Sequence, residues 1–145
     1  MLFIIIHQTK ELWLKQMIRE LRLAQTDIRN DALIPAYKAL ARVSRIQAVM
    51  TLSWDVLSTM TPSDYTRFRH VLGPSSGFQS DQFRTVEYLL GLKDPGFLKY
   101  QDDRPEARAA MAEVPELDIF IVDRRHLGRG SSYCIYPATT HWLFF

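Results

Sequence analysis

Two pairs of residues, each one helical turn apart, carry the side chains best suited to chemistry. Phe3 and His7 lie at i and i+4 inside FIIIHQTKELW, and Tyr65 and Arg69 keep the same spacing inside DYTRFRH. On a helix, residues so spaced share a face. Together they supply an aromatic wall, an imidazole, a phenol and a guanidinium fork able to grip a carboxylate with two parallel hydrogen bonds. That set suits an aromatic amino acid as ligand. Spacing alone leaves the plainer assignments open: His7 as a satisfied core histidine, Tyr65 as ordinary packing, Arg69 as the partner of a surface acid.

Other chemistries find no support. The chain has no CxxC, HExxH, P-loop or GxGxxG pattern. Its four histidines, His7, His70, His126 and His141, are far apart and show no metal-ligand spacing. GRGSS, Gly128 to Ser132, superficially suggests a phosphate loop but has neither the strand before nor the helix after that such a loop needs.

The paired residues need helices to carry them. From Leu2 to about Ile28, apolar residues recur at three- and four-residue steps (Leu2, Ile5, Ile6, Trp13, Met17, Leu21, Ile28), with Lys10, Glu11, Lys15, Arg19 and Glu20 between them. NDALIP interrupts this helix, and Pro35 can open a second one running to about Met60. Thr61-Pro62-Ser63-Asp64 reads as a capped start for a third, Pro62 to Leu72, ending at Gly73-Pro74. GPSSGFQS is a loop, and a fourth helix is expected from Asp81 to Leu90, with Ser80 as cap and Gly91 as stop. Beyond it, Glu106 to Glu113 reads as a short helix and IFIV, Ile119 to Val122, as a strand or a helical turn. The expected fold is therefore all-α: a bundle of long amphipathic helices over residues 1–113, with an irregular tail over 114–145.

Composition agrees with one ordinary domain. The chain has 145 residues, 47% hydrophobic and 23% charged, which is enough to build a core. A net charge of +2, from 18 basic and 16 acidic residues, gives no argument for nucleic acid or an anionic membrane surface. The apolar MLFIII opening lacks the basic region and cleavage site of a signal peptide, and no segment reaches the roughly 20 apolar residues needed to span a bilayer. With a single cysteine, Cys134, the expectation is a cytoplasmic protein. A helix that begins at Met1 without a capping residue further suggests that the chain's original beginning lies upstream.

HQTKELWLKQ, followed by MTPSDYTRFRHVLGPSSGFQSDQFRTVEYLLG, closely resembles the tryptophan 2,3-dioxygenase family. The resemblance runs from Met1 to about Met111. Its HQT-ELW-K, F-R-L-P-SGFQS and Q-R-E patterns occur together and in order. It implies a helical homotetramer that uses the iron of haem b to insert both atoms of dioxygen across the indole C2–C3 bond of L-tryptophan. The product is N-formylkynurenine, the first step of tryptophan breakdown through the kynurenine pathway. By the same resemblance Phe3 packs on the substrate, Ile4, Ile5 and Ile6 belong to the lining stretch, and His7 is the distal histidine bonded to the indole N–H. Tyr65 is a pocket tyrosine and Arg69 binds the substrate carboxylate. Trp54 and the Ser75–Phe78 loop, with Ser76 and Gly77, line the haem side.

Three departures accompany the match. The family's N-terminal arm, which closes a neighbouring subunit's pocket, has no counterpart. Its GTGGSSG loop is matched at best by GRGSS. The arginine-rich FRH helix that supplies its axial histidine does not follow Met111, so the iron ligand is left unassigned, with His126 and His141 the only downstream histidines. A truncation, a frame change or a domain deletion would each produce such a tail. Two other readings follow: an inactive helical remnant that only self-associates, and a related haem enzyme that hydroxylates an aromatic amino acid.

Overall fold

The computed structural model describes residues 1–75 and 79–92, together with residues 96, 105, 106 and 109. Helix α1 spans Leu2–Arg29 and α2 spans Leu33–Leu57. Helix α3 covers Pro62–Arg69 and passes into a 3-10 turn, His70–Leu72, and α4 covers Asp81–Leu89. No strand occurs among the described residues, so this part of the chain is all-α, as expected. The boundary near residue 113 and the tail over 114–145 lie outside the described residues, as does nearly all of the helix expected from Glu106 to Glu113.

Helices α1 and α2 form a hairpin with a short turn in which Asp31 adopts a left-handed backbone, φ 58°. A short polar side chain such as aspartate tolerates that conformation. Leu14, Met17, Leu21 and Ala24 on α1 are buried, as are Ala36, Ala39, Val43, Ile46 and Met50 on α2. Both sets step by three and four residues, the seam of two helices packed along their lengths. Followed toward the N-terminus, the α1 seam continues without a break through Lys10, His7 and Phe3. Two cross-contacts fix the antiparallel register: Glu20 receives the Arg42 guanidinium, and Lys10 lies over the Trp54 ring. Helix α4 closes the core with Phe83, Val86, Tyr88 and Leu89.

The sequence periodicity identified this helix but not its inward face. Leu2, Ile5 and Trp13 are exposed, whereas Leu14 and Ala24 are buried. Lys10 and Glu20, which fill the spaces between the apolar residues in the sequence, are 2% and 4% exposed. The apolar residues of α1 extend round more than one face, so hydropathy alone does not choose between them.

Local signals were more accurate. Thr61 and Asp64 form a reciprocal capping box: the Thr61 hydroxyl accepts from the Asp64 N–H, and the Asp64 carboxylate accepts from the Thr61 N–H. Ser80 accepts from the Phe83 N–H at the start of α4. At its end Gly91 has φ 94°, with Gly91 N–H bonded to Tyr88 O and Leu92 N–H to Glu87 O. That pair of bonds needs a left-handed residue, which glycine supplies without a Cβ clash. Pro35 stands in the first turn of α2 but does not open it, since the helix begins at Leu33. Its missing N–H still costs no intrahelical bond there. Helix α2 also stops at Leu57, three residues before the expected Met60.

Candidate functional site

The N-terminal turn of α1 meets α3 through aromatic rings. The Phe3 ring centroid lies 4.1 Å from that of His7, 5.8 Å from Tyr65 and 5.5 Å from Phe68. Tyr65 and Phe68 meet edge to face at 5.4 Å. Offset and edge-on contacts of this kind add about 0.5–1.5 kcal/mol each beyond burial. They matter because α3 buries none of its own residues, so these rings are a principal hold on it. Phe3, His7 and Tyr65 are thereby brought together, whereas Arg69 makes none of these contacts. Phe68 is a fourth ring that sequence reasoning missed. Its i, i+3 spacing from Tyr65 was the available signal.

His7 has a defined hydrogen bond. Its Nδ1 lies 2.7 Å from the Phe3 carbonyl oxygen. A carbonyl can only accept, so Nδ1 carries the proton, and in the neutral imidazole Nε2 is left as an acceptor. This bond runs back one turn along the same helix, so the ring is oriented by α1 itself.

Arg69 is exposed, and its Nη1 donates to the Gly73 carbonyl at 2.8 Å. This contact braces the turn after α3 and uses one of the five donors of the guanidinium. Of the three isoleucines, Ile6 is buried while Ile4 and Ile5 are 45% and 49% exposed. At 3.6 residues per turn Ile5 points about 200° round the helix from Phe3. It therefore faces away from the ring cluster. Ser76 and Gly77 lie outside the described residues.

One turn further along α1, the Lys10 ammonium sits 3.3 Å from the centroid of the Trp54 ring. Neither Lys10 Nζ nor Trp54 Nε1 has a hydrogen-bond acceptor among the described residues, although both atoms are buried. Burial pushes the Lys10 amine down from its ordinary 10.5 to about 8. A desolvated cation–π contact returns about 2 kcal/mol or somewhat more. Removing an ammonium from water costs several kcal/mol, so the ring offsets only part of it. Sequence reasoning placed Lys10 among the polar residues between the apolar ones and missed this contact, which depends on how two helices cross.

The two quoted motifs are also joined directly. Glu11 of HQTKELW accepts from the Ser80 hydroxyl at 2.6 Å and from Gln82 Nε2 at 2.7 Å, and its backbone carbonyl accepts from Gln82 Nε2 at 3.0 Å. Among the described residues no group of three or more His, Cys, Asp or Glu side chains is arranged to hold a metal ion. No described helix is long and apolar enough to cross a membrane.

This arrangement sits within a sequence that matches the family described as tryptophan 2,3-dioxygenase over residues 1–117. The chain belongs to the tryptophan 2,3-dioxygenase family. A tryptophan 2,3-dioxygenase of Caulobacter vibrioides is 64% identical over 116 residues, covering 80% of this chain and 44% of that relative. One of Bacillus thuringiensis is 52% identical over 111 residues, covering 77% and 40%, and one of Ruegeria sp. is 51% identical over 112 residues, covering 77% and 40%. The chain thus spans about two fifths of the length of these relatives. Family membership covers all the helices described above, including both motifs joined through Glu11.

Proposed function

We propose that this chain forms the substrate side of a haem-dependent tryptophan 2,3-dioxygenase, cleaving the indole C2–C3 bond of L-tryptophan with dioxygen to give N-formylkynurenine. The observation that carries this reading is the 2.7 Å contact of His7 Nδ1 with the Phe3 carbonyl beside the Phe3 ring, which leaves Nε2 free to accept in the neutral imidazole. A neutral Nε2 acceptor next to tilted aromatic rings suits an indole, whose N–H must donate and whose apolar ring must be covered. Phe3 and Tyr65 would border the indole on one side, and Ile6 would belong to the same apolar stretch. Arg69 has donors beyond the one held by Gly73, and they suit the amino acid's carboxylate.

The residues present also fit haem b. Aromatic side chains at Phe3 and His7 would meet a flat apolar face, and the acceptor-free donors of Lys10 and Trp54 lie further along the same helix. Ser76 and Gly77 would join Trp54 on that side by resemblance. Haem iron, when bound, supplies the dioxygen chemistry; the residues described orient the substrate and shield it. The reading also carries the family's homotetramer and a cytoplasmic location. Exposed apolar side chains such as Leu12, Ile34, Leu52 and Val56 support self-association.

The test is the absorption spectrum of the haem-supplemented chain with and without L-tryptophan. A Soret band that shifts on adding L-tryptophan, and that no longer shifts at the same concentration in Arg69→Ala, is expected. Absence of a Soret band, or a band indifferent to L-tryptophan, overturns the reading.

A further inference from the structure

We propose that Lys10 and the Trp54 indole N–H together form a carboxylate-binding site, and that its ligand is a propionate of the haem. The inference rests on the haem reading above and adds to it a residue with a defined task.

Three observations converge on it. Lys10 is 2% exposed and its Nζ, with three N–H donors, has no hydrogen-bond acceptor among the described residues. Trp54 Nε1 is likewise buried without an acceptor, and the two side chains are in contact, with Nζ 3.3 Å from the ring centroid. Buried donors in folded proteins are almost always satisfied, so two adjacent ones without an acceptor mark a place for an oxygen ligand that neither helix supplies. The buried cation over the ring favours an anion in that place, since a negative ligand also offsets its charge. A carboxylate satisfies both kinds of donor, because its two oxygens can accept from the ammonium and from the indole N–H at once.

Placement selects the source. Phe3, His7 and Lys10 fall within about a 60° arc of α1, and Lys10 is about 10 Å from Phe3 along the axis. A ligand lying along this stripe would meet rings at one end and cationic donors at the other. Haem has that division, an apolar macrocycle with two carboxylates on one edge. A substrate carboxylate would instead have the guanidinium of Arg69, on the helix that carries Tyr65.

The experiment compares haem b with its dimethyl ester, which keeps the ring and iron but removes the carboxylate charge. Each is titrated into the 145-residue chain and into Lys10→Met, followed by Soret absorbance. The wild-type chain should bind haem b about ten- to a hundredfold more tightly than the ester, as charge-assisted hydrogen bonds imply. In Lys10→Met that ratio should fall to about one through weaker haem b binding, with ester affinity retained. Lys10→Gln replaces the methionine variant if circular dichroism shows that the latter loses its helices. A wild-type ratio near one overturns the proposal without any variant, and so does a ratio that survives loss of Lys10. If a carboxylate from a second copy of the chain fills the site, both ligands bind alike, which also overturns it. No Soret band with either ligand overturns the haem reading itself, so the two failures are distinct.

Discussion

His7 and Phe3 are joined twice, by a 2.7 Å hydrogen bond from Nδ1 to the Phe3 carbonyl and by ring centroids 4.1 Å apart. The bond sets which nitrogen can accept, and the tilted ring contact, with planes 33° apart, limits how the imidazole can turn. With Nε2 as acceptor, wild-type protein should bind L-tryptophan more tightly than its N1-methyl analogue, which has no N–H to give. His7→Ala should weaken L-tryptophan binding about tenfold, in line with one hydrogen bond, and should remove the preference over the analogue. Soret titrations of the haem-supplemented proteins with both ligands check this. A preference that persists in the alanine variant would show that His7 does not read the indole N–H.

Lys10 should give the haem-free chain an unusual alkaline profile. Its folded-state value of about 8 lies below the ordinary 10.5, so between these limits the unfolded chain holds the extra proton. Stability therefore rises with pH across that window, and the contribution is lost as pH falls through about 8. Relative to Lys10→Met, the wild-type chain should gain on the order of 1–3 kcal/mol between about pH 7.5 and about pH 10. Urea unfolding at the two pH values measures the difference.

Thr61 holds the start of α3, the helix that carries Tyr65 and Arg69. Replacing it by alanine removes the acceptor for the Asp64 N–H and one of the bonds to the Asp64 carboxylate, at a cost of about 1 kcal/mol. Because α3 buries none of its own residues, the loss should appear as faster amide hydrogen exchange in 62–69, with little change in the α1–α2 core. Hydrogen bonds from Thr61 also hold the Asp64 carboxyl below the usual range. The contribution of this cap is therefore lost as pH falls through that lowered value. In Thr61→Ala the acid-induced rise in exchange should be smaller.

Glu11 ties α1 to the beginning of α4 through Ser80 and Gln82. Hydrogen bonds to a charged acceptor contribute about 1.5–3 kcal/mol each, so Glu11→Ala should be destabilising by at least that much. Glu11→Gln, which keeps a carbonyl acceptor, should recover part of it. Thermal unfolding of the three proteins orders them, and an alanine variant as stable as wild type would show that this link carries no stability.

The features legible in the sequence were those fixed by neighbours in the chain. Thr61 with Asp64, Ser80 as a cap and Gly91 as a stop each depend on residues within a turn of one another, and each appears in the structure. The same holds for the face shared by Phe3 and His7. Features that depend on the crossing of two helices were not legible. Lys10 meets Trp54, and Glu20 meets Arg42, only because α2 folds back along α1 in one register. Phe68 joined the cluster because α3 docks on Phe3, which its spacing from Tyr65 could suggest but not establish. Ile5 and Ile6 differ by 100° of helix rotation, and no local feature chooses which of them turns inward.

The unbroken stripe Phe3–His7–Lys10–Leu14 has a consequence for how this protein can vary. Leu14 is locked in the core, while Phe3 and His7 belong to the ring cluster that meets α3. A helix is a rigid shaft, so inserting or deleting one residue between His7 and Leu14 would swing the rings by about 100° relative to the core. A substitution in this segment alters the contacts of one residue, whereas a change in its length would misaim all of them together. The interval from His7 to Leu14 therefore acts as a ruler, fixed in length even where its residue types can differ.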